Sequence, residues 1–376
     1  MKISSLQENL KQGLSIVNHI AGKNVNLPIL NNVLIEVIDG KIKLITTNLE
    51  IGITSYVRGK IEKEGKTTVD SKIISDYISL LPNKKIEIEL SSDNLKIKSE
   101  NYKTKLKYQD AEEYPLIPKV DSENYYKVNT EEFRKALSQV VFAVSTNENR
   151  LELSGVYFGL ESNKIILAAT DSYRLAEKEI KAKKEGGEEN KKIIIPAKTL
   201  QEIIRILSSI KENSENKDTN EMLIYFSDNQ VLFKIGATEL VSRLIEGQYP
   251  DYKQIIPGNS KTTAIINKNE LIKAVKASAL FSKTGINDVS LDFPGGKNQT
   301  VLTAESGQTG ESVVEINSSV VGDDNGVVVN YRYLLDGLNS IDSENIKIEM
   351  IDNNTPCILK PEKDDDQIYI IMPIKQ

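Results

Sequence analysis

The chain has 376 residues with 48 Lys and Arg against 54 Asp and Glu, a net charge of -6, which excludes a protein coated in positive charge for nucleic acid and leaves only a local basic lining. Its one cysteine, Cys357, excludes an intramolecular disulfide and agrees with a reducing compartment. No apolar run approaches the ~18 residues of a membrane helix, and Met1-Lys2-Ile3-Ser4 leads straight into an amphipathic pattern, so the expected location is the cytoplasm with no membrane contact.

In chain order, Lys2 to Ala21 reads as a short strand and a helix. Leu6, Leu10, Leu14, Val17 and Ile20 recur at helical spacing, and Ser4 or Ser5 is the expected cap. Asn31 to Ile51 alternates as a β-hairpin with its tip at Asp39-Gly40, a strong turn signal. A second strand and helix start at Thr67. Three strands come next, KIEIEL, LKIKS and YKTKLKY, and the unit ends at Glu113-Tyr114-Pro115-Leu116-Ile117-Pro118.

The whole pattern then returns. Tyr126 to Ser145 repeats the opening cassette, and Arg150 to Ala176 repeats the hairpin, with Val156, Phe158, Leu160, Ile165, Leu167 and Ala169 on its buried face. A strand and helix start at Ile193, then come MLIYFS, VLFKIG and ELVSRLI, and a matching end at Gln248-Tyr249-Pro250-Asp251-Tyr252. Lys181 to Lys192 and Glu212 to Asn220 read as solvated loops. The third copy is Thr263 to Lys283, the hairpin Asn287 to Thr309, a strand and helix from Val327, and IKIEMI, CILKP and QIYIIMP.

Three copies of a unit of about 125 residues imply three similar domains, 1–121, 122–257 and 258–376. Each is a strand, a helix and three strands performed twice. The expected class is α+β, with the helices on one face of antiparallel sheet. Such units joined edge to edge are heterologous and close into a ring only if the rotation per unit divides a full turn.

Catalytic signatures are missing. The chain has no Gly-x-x-x-x-Gly-Lys-Ser/Thr loop, no Gly-x-Gly-x-x-Gly after a strand and no His-Glu-x-x-His. His19, the sole histidine, reads as a helix-end or half-buried imidazole, and one histidine with one cysteine rules out the common zinc sites. Asp171 in Ala-Thr-Asp-Ser-Tyr-Arg is conceivable as a catalytic acid, but hairpin ends favour Asp for turn hydrogen bonds, and no partner acid is identifiable. No metal or cofactor is expected, and Cys357 reads as a small apolar filler.

Four motifs in order, Asn26-Leu27-Pro28-Ile29-Leu30, Ala169 to Ala176, Tyr249-Pro250-Asp251-Tyr252 and Tyr369 to Ile374, resemble the bacterial DNA polymerase III beta subunit, the sliding clamp family, over the full length. The resemblance implies the DNA-clamp fold and a homodimer of three-domain chains, joined head to tail as a six-domain ring. Such a ring encircles double-stranded DNA, tethers the replicative polymerase and other clamp-binding proteins, is opened by a clamp loader and catalyses nothing.

By the same resemblance, a pocket for partner peptides comprises Leu153, Thr170, Ser172, Tyr173, Arg174, Leu175, Pro250, Ile255, Asn330, Tyr333, Met372, Pro373 and Ile374. Ser172-Tyr173 stands where the family often has Gly-His, and Gln254 where a basic residue is common. DNA contacts carry over to Lys23, Asn24, Asn147, Arg150 and Lys198, with Lys72, Arg205, Lys273, Lys276 and Arg332 on helices facing the hole. The dimer contact sets Lys103, Lys105, Leu106 and Tyr108 against Leu280, Phe281, Glu305 and Glu311. Two other classes compete: a repeat-built enzyme, which the missing chemistry disfavours, and a β-rich scaffold that never encircles DNA. Retention on circular but not linear duplex separates the scaffold from the clamp.

Overall fold

The computed structural model describes residues 1–22, 26–118, 120, 124–147, 149–186, 191–213 and 219–375. In the N-terminal repeat the first half is β1 (Lys2–Leu6), α1 (Gln7–Val17), β2 (Asn32–Ile38), β3 (Lys41–Thr47) and β4 (Ile51–Val57). A short β5 (Lys60–Lys63) precedes the second half: β6 (Gly65–Asp70), α2 (Ser71–Leu80), β7 (Lys85–Leu90), β8 (Leu95–Ser99) and β9 (Tyr102–Leu106). The central repeat runs β10 (Tyr125–Asn129), α3 (Thr130–Val140), β11 (Gly155–Leu160), β12 (Lys164–Thr170) and β13 (Arg174–Lys181). After a short β14 (Lys183–Glu185) come β15 (Lys191–Pro196), α4 (Ala197–Asn213), β16 (Glu221–Phe226), β17 (Gln230–Ile235) and β18 (Thr238–Arg243). The last repeat is β19 (Thr262–Asn267), α5 (Lys268–Ala279), β20 (Asp288–Phe293), β21 (Gln299–Ser306) and β22 (Gly310–Gly322), then β23 (Asn325–Asn330), α6 (Tyr331–Ser340), β24 (Asn345–Met350), β25 (Cys357–Pro361) and β26 (Gln367–Ile371).

Strand, helix and three strands are thus performed twice in each repeat, with β5 and β14 as additions. Part of the expected loop Lys181 to Lys192 forms β14, because β10 would otherwise leave one edge open; Lys183, Lys184 and Glu185 pair with Lys127, Tyr126 and Tyr125. The loop expected from Glu212 starts later, since α4 runs to Asn213.

The chain forms two compact units that cut across the three repeats. One holds a five-stranded sheet, β5-β1-β7-β8-β9, and a nine-stranded sheet, β14-β10-β16-β17-β18-β4-β3-β2-β6. Their alternating inward residues, among them Ile3, Val33, Ile35, Leu44, Ile53, Ile86 and Ile88, are fully buried. Helix α1 lies close to β4 because residue 13 is glycine: a Cβ there would sit 2.8 Å from the Val57 side chain. The expected cap at Ser4 or Ser5 is not used. Both serines belong to β1, Leu6 precedes the helix without a side-chain cap, and the Ser5 hydroxyl instead donates to the Arg58 carbonyl at 2.6 Å. Asp39 and Gly40 have φ of 52° and 68°, as a two-residue hairpin tip requires. His19 sits at a helix end as expected but is exposed, its Nδ1 2.7 Å from the buried Glu202 carboxylate.

The other unit is built on a twelve-stranded sheet, β15-β11-β12-β13-β26-β25-β24-β19-β22-β21-β20-β23. Phe133, Phe158, Leu137, Phe293, Leu334 and Tyr369 anchor its cores. Burial pushes the Cys357 thiol up to about 12, which keeps it protonated and inert as a filler.

One bond recurs in all three repeats. The chain leaving the last strand crosses back to the third residue from the end of β6, β15 or β23: Gln109 donates to the Thr68 carbonyl at 2.9 Å, Ile245 to Ile194 at 2.9 Å, and Ile374 to Val328 at 2.8 Å.

In α6, Gly337 lets the helix settle on Tyr369, whose hydroxyl donates to the Tyr333 carbonyl at 2.8 Å. A Cβ at 337 would lie 2.2 Å from that ring. Gly337→Ala, although better for an isolated helix, is expected to lower stability by about 1–3 kcal/mol, read as an earlier urea midpoint by circular dichroism. An unchanged or later midpoint refutes the close packing.

Candidate partner-binding site

The turn between β12 and β13 is set by its own side chains. The Asp171 Oδ1 accepts from the backbone of Tyr173 at 2.9 Å and Arg174 at 3.0 Å, while the Thr170 hydroxyl accepts from Ser172 at 3.1 Å and donates to the Arg174 carbonyl at 2.6 Å. Ser172 takes a φ of 79°. Asp171 is therefore a turn residue, its second oxygen held by the Arg174 Nε at 3.0 Å. The N-terminal repeat builds the same turn. Asn48 accepts from Glu50 and Ile51, Thr47 bridges Leu49 and Ile51, and Leu49 has a φ of 76°. The central repeat differs in the two side chains that leave the turn, Tyr173 and Arg174.

Arg174 is only 12% exposed. Its guanidinium pairs with Asp171 and Asp336, donates to the Phe142 carbonyl at 3.1 Å, and lies 4.6 Å from the Tyr333 ring centre. Tyr173, 64% exposed, stacks on Tyr333 with centroids 6.4 Å apart and planes at 22°. The Tyr173 carbonyl accepts from Met372 at 2.9 Å, which ties the C-terminal segment to this turn. A planar cation held by two carboxylates, a carbonyl and an aromatic face has little freedom to turn.

The carried-over residues sort by exposure. Ser172, Tyr173 and Ile255 are exposed; Arg174, Pro250, Asn330, Tyr333, Met372, Pro373 and Ile374 are half-buried. Thr170 is buried, and Leu153 and Leu175 are fully packed with Tyr249, Tyr252, Ile358 and Ile370. Leu153 and Leu175 thus support the rim from beneath. Asn330 caps α6, its side chain accepting from Arg332 at 2.9 Å. Tyr249 accepts from the Thr170 amide at 3.1 Å and Tyr252 donates to Glu177. Burial pushes both hydroxyls up, and the Glu177 charge adds to it at Tyr252, so both stay protonated.

Of the expected DNA contacts, Lys23 and Asn24 lie outside the described residues. Lys198 is exposed at the start of α4. The Asn147 side chain accepts from Asn149 at 3.0 Å, and Arg150 pairs with Glu152 at 3.1 Å and Ser172 at 3.0 Å. Arg150 is thus drawn to the Ser172 rim. Lys72, Lys273, Lys276 and Arg332 are exposed on their helices. Arg205 is not: its guanidinium is held by Glu202 at 2.8 Å and by the carbonyls of Ser15 and Ile16 at the end of α1, which uses its donors internally.

At the edges, β9 is the terminal strand of its sheet, with Lys103 and Lys105 exposed and Leu106 half-buried. Tyr108 lies beyond it and donates to the Ser92 carbonyl at 2.9 Å. In β22, residues 310–317 pair with β21 on one side only. Glu305 and Glu311 face each other there, an opposition of like charge that favours an approaching cation. Leu280 is 73% exposed and Phe281 half-buried. The sequence reading missed Ile73, Tyr77 and Leu80, which form an i, i+4, i+7 stripe on α2 with Ile73 and Leu80 exposed. The signal was available, because α2 also carries Ile74 and Ile78 and is followed by Leu81, too much apolar surface for one face.

Residues 1–118, 127–251 and 253–375 match the family models of the N-terminal, central and C-terminal domains of the DNA polymerase III beta subunit. A relative named beta sliding clamp, from Staphylococcus epidermidis, is 30% identical over 93% of this chain and 92% of its own. The DNA polymerase sliding clamp from Bacillus subtilis superposes with a TM-score of 0.91 at 26% identity, covering 100% of this chain and 99% of the other. The DNA polymerase III beta subunit from Thermotoga maritima gives 0.89 at 26% with the same coverage.

Arg174→Lys keeps the charge but cannot serve Asp171, Asp336 and the Phe142 carbonyl from one plane. It is expected to cost about 1–3 kcal/mol in urea unfolding, and to loosen Tyr173 and Tyr333 as seen in their ring resonances. Equal stability and unchanged resonances would show that the guanidinium geometry is dispensable.

Proposed function

The chain belongs to the DNA polymerase III beta subunit family, and on that footing we propose that it is a cytoplasmic, non-catalytic sliding clamp: two copies close head to tail around double-stranded DNA and tether the replicative polymerase. The observation that carries the ring is a count of third strands. Each repeat has two, one ending each half. Of the six, β4 pairs with β18 and β13 with β26, leaving β9 and the first half of β22 unpaired among the described residues. The helices divide in the same way. Arg205 of α4 bonds to the end of α1, and Lys135 and Gln139 of α3 bond to Asp342 and Ser340 at the end of α6, which leaves α2 with its apolar stripe and α5 with Leu280.

An unpaired edge on one copy matched to a different edge on the other is a heterologous contact. Lys103 and Lys105 against Glu305 and Glu311 favour this pairing over like on like. With a net charge of -6, retention on DNA is topological, with local phosphate contacts from the cations Lys23, Arg150 and Lys198 and from the amides of Asn24 and Asn147. A clamp loader is implied for opening. The partner's peptide is assigned to the rim of Tyr173, Pro250, Ile255, Met372 and Pro373.

Wild-type protein should be retained on nicked circular duplex and lost from the linear form. Loss from both favours a scaffold that does not encircle DNA. Leu280→Ala with Phe281→Ala removes contacts worth several kcal/mol at about 1.5–3 kcal/mol per side chain, so sedimentation should shift toward monomer and retention should fall. Ile73→Ala with Leu80→Ala should do the same from the other side of the contact. A fully dimeric, retained quadruple mutant places the contact elsewhere.

Deleting residues 372–376 should abolish polymerase stimulation while the protein stays dimeric. Full stimulation after the deletion removes the rim from the reading.

A further inference from the structure

We infer that a cavity of about 520 Å³ on the central repeat is a second docking site, which takes an extended acidic peptide bearing a large apolar side chain from the same partners that the Tyr173 rim anchors. The inference rests on the proposed tethering function. The cavity is within the size range of ligand sites, about 300–1,000 Å³.

Its floor is made by a departure from the repeat. On β11, Gly159 faces Ile166 of β12 and Lys192 of β15. At the equivalent place in the N-terminal repeat, Glu36 faces Lys43 and Lys66, and Glu36 and Lys43 close the surface with an ion pair at 2.9 Å. The central repeat has neither charge. A Cβ on Gly159 would come within 3.1 Å of the Tyr157 ring. Three tyrosines wall the space, Tyr157, Tyr249 and Tyr252, with ring centres 5.4 to 6.3 Å apart. Aromatic walls over an aliphatic floor suit a large apolar side chain.

Beside the cavity runs a strand edge. β15 ends the twelve-stranded sheet, and the outward carbonyl of Ile194 is taken by Ile245. Two residues earlier, on the same side of the strand, Lys192 has no strand against it among the described residues. An extended peptide adds to such an edge through its backbone while one side chain in two points inward.

Charge sets the peptide's character. Lys191, Lys192 and Lys253 line the cavity against Glu161 and Asp251, so the lining carries one net positive charge. Pro250 belongs both to the cavity and to the Tyr173 rim set, so a peptide anchored at the rim continues into the cavity past that residue.

The test is fluorescence anisotropy with a labelled octapeptide of glutamates around one central phenylalanine, on the full chain at low salt. Binding is expected in the micromolar range. It should weaken by about tenfold or more in three cases: Gly159→Glu with Ile166→Lys, which restores the ion pair of the N-terminal repeat; Lys192→Glu with Lys253→Glu; and a peptide whose phenylalanine is replaced by glycine. Deletion of residues 372–376 should leave it within a factor of about two. If the Gly159 variant does not fold by circular dichroism, the lysine variant and the altered peptide decide between them. No binding at millimolar peptide overturns the proposal. So does binding that depends on the lysines but not on the phenylalanine, or binding that the tail deletion removes. If the deletion leaves polymerase stimulation intact while the cavity variants still lose the peptide, the rim assignment fails and the cavity stands.

Discussion

Everything in this chain depends on what happens to the outer edge of the third strand in each half-repeat. A strand edge exposes a row of unsatisfied amides and carbonyls, and a protein must pair it, cover it or guard it. Here β4 takes β18 and β13 takes β26. Those two pairings carry sheet across repeat boundaries and explain why the compact units ignore the three-fold repetition of the sequence. The first strands of the second halves are handled differently. β6, β15 and β23 are each covered by the departing chain, through two backbone bonds between Gln109 and Thr68 and one each from Ile245 and Ile374.

The same constraint places the candidate site. Where β13 meets β26, the turn before β13 comes against the C-terminal segment, and the Tyr173 carbonyl accepts from Met372. The corresponding bond where β4 meets β18 runs from Arg243 to the Glu50 carbonyl at 3.2 Å. The two turns share an Asx hydrogen-bond pattern and a left-handed third residue, yet only one carries an aromatic followed by arginine. Glu50 and Ile51 stand where the central repeat has Tyr173 and Arg174. Gly52 stands where it has Leu175, and Ile117 packs onto that glycine, 2.6 Å from an ideal Cβ. Backbone repetition supplies the frame; side-chain divergence supplies the site.

The repeat was legible because it rests on periodicity. Alternation in Val156, Phe158 and Leu160 and helical spacing in Leu10, Leu14 and Val17 respond directly to burial, and all six residues are buried. Caps and short strands were less legible. Ser5 is a good helix cap by residue type, but one residue of register puts it in β1, where its hydroxyl reaches Arg58, 53 positions away. β14 forms from Lys183, Lys184 and Glu185, which have no strand preference of their own, because a neighbouring edge needs a partner. Long-range demand of that kind leaves no trace in a local window. Arg205 shows the same limit for charge, since its position on a helix suggested an outward cation and only the fold reveals the carbonyls of Ser15 and Ile16 beside it.

A resemblance transfers positions more securely than it transfers exposure. Leu153 and Leu175 occupy carried-over positions yet are completely packed, so any partner side chain meets first the surface they hold in place: Tyr173 stacked on Tyr333, with Arg174 locked by Asp171 and Asp336. That rim is stiff. Its cation is satisfied on both sides, its turn is closed by four hydrogen bonds, and the C-terminal segment is held at both Met372 and Ile374. A short peptide gains little from each contact and loses chain entropy on binding, so a preformed rim is what allows a few side chains to suffice. Tyr173 is the part with most freedom to move, being largely exposed and held on one face, and it is also where this sequence departs from the Gly-His pair of the family pattern. If the proposed tethering function holds, partner choice in this chain should therefore be sought in Tyr173 before the packed leucines.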